Sequence, residues 1–161
     1  MKKPIIFLLD DDPSVLKAVI RDVRSKYRKE YKVMSTENPQ EALDGLKELK
    51  VAGETIALFI SDQKMPGMLG VEFLEKAKTT FPDAKRAFLT AYSDTEAAIK
   101  AINDVQLDYY LMKPWDPPEE KLYPVIDELL EECRVVIFLI SLVSKSLVIS
   151  GRQSRIVSKT F

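Results

Sequence analysis

A chain of 161 residues with 24 basic and 25 acidic side chains is long enough for one domain with a real core, and its charge gives no overall bias toward nucleic acid or a membrane surface. One cysteine, Cys133, excludes an internal disulfide and fits a reducing cytoplasm. Strand-like sequence runs from Ile5 onward, so no signal peptide is expected.

Short apolar runs alternate with helical patterns. Ile5–Leu9 reads as a first strand, and Asp12 then caps a helix with Pro13 at its first position. Leu16, Val19, Ile20, Val23 and Tyr27 follow at helical spacing. Tyr31–Thr36 reads as a second strand. Asn38, Pro39 and Glu41 form a capping-box pattern ahead of a helix whose buried stripe is Ala42, Leu43, Leu46 and Leu49. Ile56–Ser61 is a third strand, followed by a turn through Met65-Pro66-Gly67-Met68. The next helix carries Val71, Leu74, Ala77 and Phe81 and stops at Pro82. Arg86–Leu89 is a fourth strand, Asp94–Asp104 a fourth helix and Asp108–Met112 a fifth strand. A last helix is expected within Glu119–Glu132, kinked at Pro124 or beginning there. Apolar runs of this length without alternation suit strands buried on both faces, as in a parallel sheet under helices with right-handed crossovers.

The strand ends carry the chemistry, because ligands bind outside the carboxyl ends of strands in such sheets. Asp10, Asp11 and Asp12 end the first strand, Asp62 the third, Thr90 the fourth and Lys113 the fifth. Asp10, Asp11 and Asp62 side by side would repel strongly without a cation between them, and Mg²⁺ suits a few carboxylates plus phosphate and water oxygens. Capping the first helix accounts for Asp12 but not for acids at two strand ends. A carboxylate can attack phosphorus to form an acyl phosphate, which makes Asp62 the candidate nucleophile. Lys113 would neutralise the transferring group and Thr90 could hydrogen-bond it.

The segments Leu-Leu-Asp-Asp-Asp-Pro, Ser-Asp-Gln-Lys-Met-Pro-Gly-Met, Leu-Thr-Ala-Tyr and Lys-Pro-Trp-Asp, in that order, resemble the receiver domain of two-component response regulators over residues 4 to about 132. The resemblance implies a flavodoxin-like (βα)5 fold with strand order 2-1-3-4-5. It implies Asp62 as phosphoacceptor, and Asp11, Asp62 and the backbone carbonyl of Lys64 as ligands of Mg²⁺ or Mn²⁺, with Asp10 acting through water. Thr90 and Tyr110 take the switch positions and Lys113 the family's lysine, followed by a Pro114 that often adopts a cis bond in it. The implied partner is a sensor histidine kinase or phosphotransfer protein. Phosphorylation would shift the surface around the fourth helix, fourth strand and fifth strand, and two copies could pair through the face of the fourth helix, fifth strand and fifth helix. The chain would catalyse at most its own phosphorylation and dephosphorylation. Lys64 and Tyr92 flank the site as bulky groups, so slow self-hydrolysis is expected.

Residues 94–103 and 107–125 look in particular like receivers fused to a thioredoxin-reductase-like flavoprotein, yet the sequence has no Gly-x-Gly-x-x-Gly and no Cys-x-x-Cys. Residues 133–161 break the pattern, with six serines, five basic residues and no acid. Taking those five from the total of 24 leaves 19 basic against 25 acidic residues in 1–132, a net of −6. This tail reads as a frameshifted or truncated continuation, or as a segment pairing subunits. Its apolar run from Val135 to Val143 is too short to span a bilayer. Twenty-nine residues cannot hold a helix-turn-helix domain, so no nucleic acid and no membrane are expected as partners, and a cytoplasmic location is. Two alternatives stay open. A haloacid-dehalogenase-type phosphohydrolase would use Asp10 and Asp12, although Pro13-Ser14 stands where Gly-Thr is expected. A receiver used only as a binding module would not need its acids.

Overall fold

The computed structural model describes residues 2–91, 103 and 105–156, with the side chains of 137 and 144–156 excepted. Five strands, β1 (Ile5–Leu9), β2 (Lys32–Thr36), β3 (Ile56–Ser61), β4 (Lys85–Ala91) and β5 (Tyr109–Lys113), form one sheet in the order β2-β1-β3-β4-β5. Every neighbouring pair is parallel. The fold is the flavodoxin-like doubly wound sheet. Its described helices are α1 (Pro13–Tyr27), α2 (Pro39–Val51), α3 (Gly70–Thr80), a short α4 (Pro118–Lys121) and α5 (Tyr123–Ile156). The helix expected over 94–104 lies outside the described residues apart from residue 103, as does Tyr92.

Side-chain alternation sorts the sheet into two cores. Ile6, Leu8, Leu58, Ile60, Ala87, Leu89 and Leu111 pack with Leu16, Val19 and Val23 of α1 and with Val125, Ile126, Leu129, Leu130 and Cys133 of α5. Ile5, Phe7, Leu9, Phe59 and Phe88 face the other way, onto Ala42 and Leu46 of α2 and Phe73, Leu74 and Ala77 of α3. Strands β1 and β3 are buried along their whole length, as their unbroken apolar runs require. The expectation of two-sided burial does not extend to the sheet margins. No β2 residue is fully buried, and Tyr109 and Met112 of β5 are exposed, because edge strands have a neighbour on one side only.

The helix signals resolve individually. Asp12 caps α1 by accepting from Ser14 N at 2.8 Å and Val15 N at 3.3 Å. Asn38 caps α2 through Gln40 N and Glu41 N, but the reciprocal half of the expected capping box is not made. The Asn38 N–H donates instead to Thr36 Oγ1, which in turn donates to Glu41 at 3.4 Å. Gly67 sits at φ 81° in the turn after β3, a conformation that favours glycine. Pro124 lies in the first turn of α5, where a missing N–H costs little, and the short α4 precedes it.

Beyond residue 132 α5 continues as helix to Ile156, so that its 34 residues run about 51 Å in all at 1.5 Å per residue. Its buried stripe ends at Cys133, and Arg134 fastens the helix by donating to Tyr31 Oη and pairing with Glu30. Val135, Phe138, Leu139, Leu142 and Val143 beyond it are exposed. Among the described residues no helix is long and apolar enough to cross a membrane.

Phe59 joins the central strand to three other rings, with centroids 5.9 Å from Phe7, 5.9 Å from Phe73 and 6.5 Å from Phe81. Phe59→Ala should therefore cost about 3–5 kcal/mol in urea denaturation; a loss under about 1 kcal/mol would contradict this packing.

Candidate functional site

The β1–β3 register sets Leu9 opposite Ser61, so the acids that follow each strand come out side by side. The Asp62 N–H donates to the Leu9 carbonyl at 2.8 Å and extends the ladder one residue past the strands. Ligand oxygens of Asp10, Asp11 and Asp62 lie within 4.8 Å of one another. From β5, Lys113 Nζ reaches Asp10 Oδ2 at 2.6 Å and Asp62 Oδ1 at 3.5 Å. Asp10 and Asp62 are buried, and Asp11 is half-buried at the mouth. Asp10 Oδ1 also accepts the Asp12 N–H at 3.0 Å. Burial pushes the Asp10 carboxyl above its ordinary range, while the Lys113 and Asp12 hydrogen bonds pull against that shift.

Two unit charges about 4 Å apart interact by about 4 kcal/mol at an effective dielectric constant of 20. Counted by formal charge, these three carboxylates and Lys113 carry a net −2 at this sheet edge. The all-oxygen donor set and that charge fit a hard divalent cation such as Mg²⁺. Asp12 is outside the cluster; it is exposed and its Oδ1 is committed to the α1 cap.

Thr90 is buried on β4, one position before Ala91, which pairs with Lys113. Tyr110 on β5 is half-buried and pairs with Phe88, its ring edge-on at 6.4 Å. Lys64 lies exposed on the loop after Asp62.

The start of α3 contributes a constraint that the motif alone did not disclose. The Gly70 N–H donates to the Gln63 carbonyl at 2.9 Å, and the buried Gln63 side chain accepts the Val71 N–H at 3.0 Å. A Cβ on Gly70 would lie 2.0 Å from the Asp62 carbonyl oxygen and 3.0 Å from Gln63 Cα. The backbone of Asp62 is therefore wedged between Leu9 and the first turn of α3. The helix lacks a side-chain cap at Leu69, but Glu72 accepts the Leu69 N–H at 3.0 Å.

Comparison with known proteins agrees with this geometry. The model for the response regulator receiver domain matches residues 6–123, and the chain belongs to that family. It is 32% identical over 119 residues to the DNA-binding transcriptional regulator NtrC of Escherichia coli, covering 74% of this chain and 24% of that protein. Against the hydrogenase transcriptional regulatory protein HoxA of Cupriavidus necator it is 27% identical over 116 residues, 72% of this chain and 22% of that one. The chain thus spans about a quarter of the length of these curated relatives. Among solved structures, a CheY-like response regulator receiver domain protein from Methanospirillum hungatei superimposes with a TM-score of 0.68 at 28% identity, covering 83% of this chain and 98% of that one. An adenylate cyclase structure from Rhodopirellula baltica gives 0.75 at 26% identity, covering 89% and 99%.

Gly70→Ala must displace the Asp62 backbone, which should cost about 1–3 kcal/mol in urea denaturation. Gly45 of α2 has nothing within 4 Å of its would-be Cβ, so Gly45→Ala should be neutral or stabilising by up to about 1 kcal/mol. Equal effects of the two changes would contradict the wedge.

Proposed function

We propose that the chain is a phosphoacceptor of a two-component relay, modified on Asp62 by a sensor histidine kinase or phosphotransfer protein. The observation that carries this reading is Lys113 Nζ lying 2.6 Å from Asp10 and 3.5 Å from Asp62 inside a cluster of three carboxylates. An Asp62 carboxylate oxygen attacks the phosphorus of a phosphohistidine; the O–P bond forms, the N–P bond breaks, and the imidazole leaves and takes a proton. Asp11, Asp62 and the Lys64 carbonyl would hold Mg²⁺, with Asp10 bonded through water. The bound cation would supply charge neutralisation for both the nucleophile and the phosphoryl oxygens. Lys113 exchanges its hold on Asp62 for a phosphoryl oxygen, and the Thr90 hydroxyl donates to another. Movement of Thr90, with Tyr110 following, shifts the population of the surface formed by β4, β5 and the helix expected over 94–104.

The wider gene context belongs to the same proposal. Residues 94–103 and 107–125 resemble receivers joined to a thioredoxin-reductase-like flavoprotein, whereas the relatives described above are named as transcriptional regulators.

Treating the protein with acetyl phosphate and Mg²⁺ should give a single phosphoryl adduct by intact mass, absent without Mg²⁺ and absent in Asp62→Asn. An adduct that survives Asp62→Asn undiminished would refute the assignment.

A further inference from the structure

Asp22 lies on the buried face of α1 between Val19 and Val23, only 6% exposed, where an apolar residue would be the ordinary choice. A carboxylate there is tolerated only when hydrogen-bonded. Its Oδ2 accepts from the indole Nε1–H of Trp115 at 2.9 Å, and its Oδ1 accepts from Arg21 Nε at 2.8 Å. The Tyr123 hydroxyl donates to the Asp22 carbonyl at 3.0 Å. Trp115 is itself 8% exposed and packs among the residues shared by α1, α5 and the sheet. It stands two residues after Lys113, where the chain leaves β5 and the sheet ladder no longer holds the backbone.

These contacts close a ring. From Asp10 the chain runs through the cap and three turns of α1 to Asp22, crosses the indole to Trp115, steps back two residues to Lys113, and returns through the 2.6 Å bond to Asp10. A lysine has a long flexible stem, and its ammonium is only as well placed as the backbone beneath it. We propose that Asp22 and Trp115 are positioning residues for Lys113: the buried indole–carboxylate bond ties the segment after β5 to α1 and holds the ammonium over Asp10 and Asp62. The proposal rests on the reading of Asp62 as phosphoacceptor.

Trp115→Phe keeps an aromatic ring in the core and removes only the donor. Asp22→Leu removes the acceptor, and Asp22→Asn keeps an oxygen that can accept from the indole. Phosphorylation by acetyl phosphate is followed against donor concentration in these variants, alone and combined with Lys113→Ala. The maximal rate should fall about tenfold in Trp115→Phe and in Asp22→Leu, with the half-saturating donor concentration little changed and Asp22→Asn close to wild type. In the Lys113→Ala background Trp115→Phe should have no further effect, because residues acting through one group are not additive. An unchanged maximal rate in Trp115→Phe, or full additivity with Lys113→Ala, would overturn the positioning role. A wild-type protein that takes no phosphoryl group would instead overturn the reading of Asp62, and this proposal with it.

Discussion

Three carboxylates and one ammonium sharing one end of a parallel sheet form the constraint on which the rest of the molecule depends. Like charges at this spacing are tolerated only where the backbone leaves no alternative. Here the backbone is fixed twice: by the β1–β3 register, which runs on into the Asp62–Leu9 hydrogen bond, and by Gly70, which lets α3 press against the Asp62 carbonyl. The two apolar cores stabilise a sheet whose edge is electrostatically unfavourable until a cation or a phosphoryl group redistributes its charge. Under the reading of Asp62 as phosphoacceptor, that is the physical basis proposed for a switch: phosphorylation would change the charge at a rigid point, and the neighbouring hydroxyl and aromatic groups would respond.

Much of the site was legible because its chemistry lies at the ends of apolar runs. Asp10, Asp11, Asp62 and Lys113 could be placed together from strand ends alone, and the structure brings the three acids within 4.8 Å of one another with Lys113 paired to Asp10 and Asp62. The Asp12 cap was legible for the same reason, since Pro13 at the next position leaves little else for it to do. What the sequence did not disclose are groups whose role depends on a partner distant along the chain. Gly70 looks like an ordinary helix-start glycine until the Asp62 carbonyl is seen where its Cβ would be. Asp22 looks like a solvated helix residue until the indole of Trp115, 93 positions away, is seen bonded to it. The capping box at Asn38 failed on a local competitor, because Thr36 supplies the acceptor for Asn38 N–H.

The last helix illustrates a different limit. The sequence places a last helix within Glu119–Glu132, whereas the buried stripe runs on to Cys133, and the later sequence shows no period that would mark where the helix stops. The structure carries it on to Ile156, and Arg134 marks the point where packing gives way to exposed apolar side chains. The match to the response regulator receiver domain, residues 6–123, lies entirely before that point.

Asp10, Asp11 and Asp62 are proposed to form one cation site balanced by Lys113. Calorimetric titration of the unphosphorylated protein with Mg²⁺ tests it most directly. One saturable site is expected, weakened at least tenfold, about 1.4 kcal/mol, by Asp11→Asn or by Asp62→Asn. Binding that is unaffected by either substitution would show that the three carboxylates do not act together.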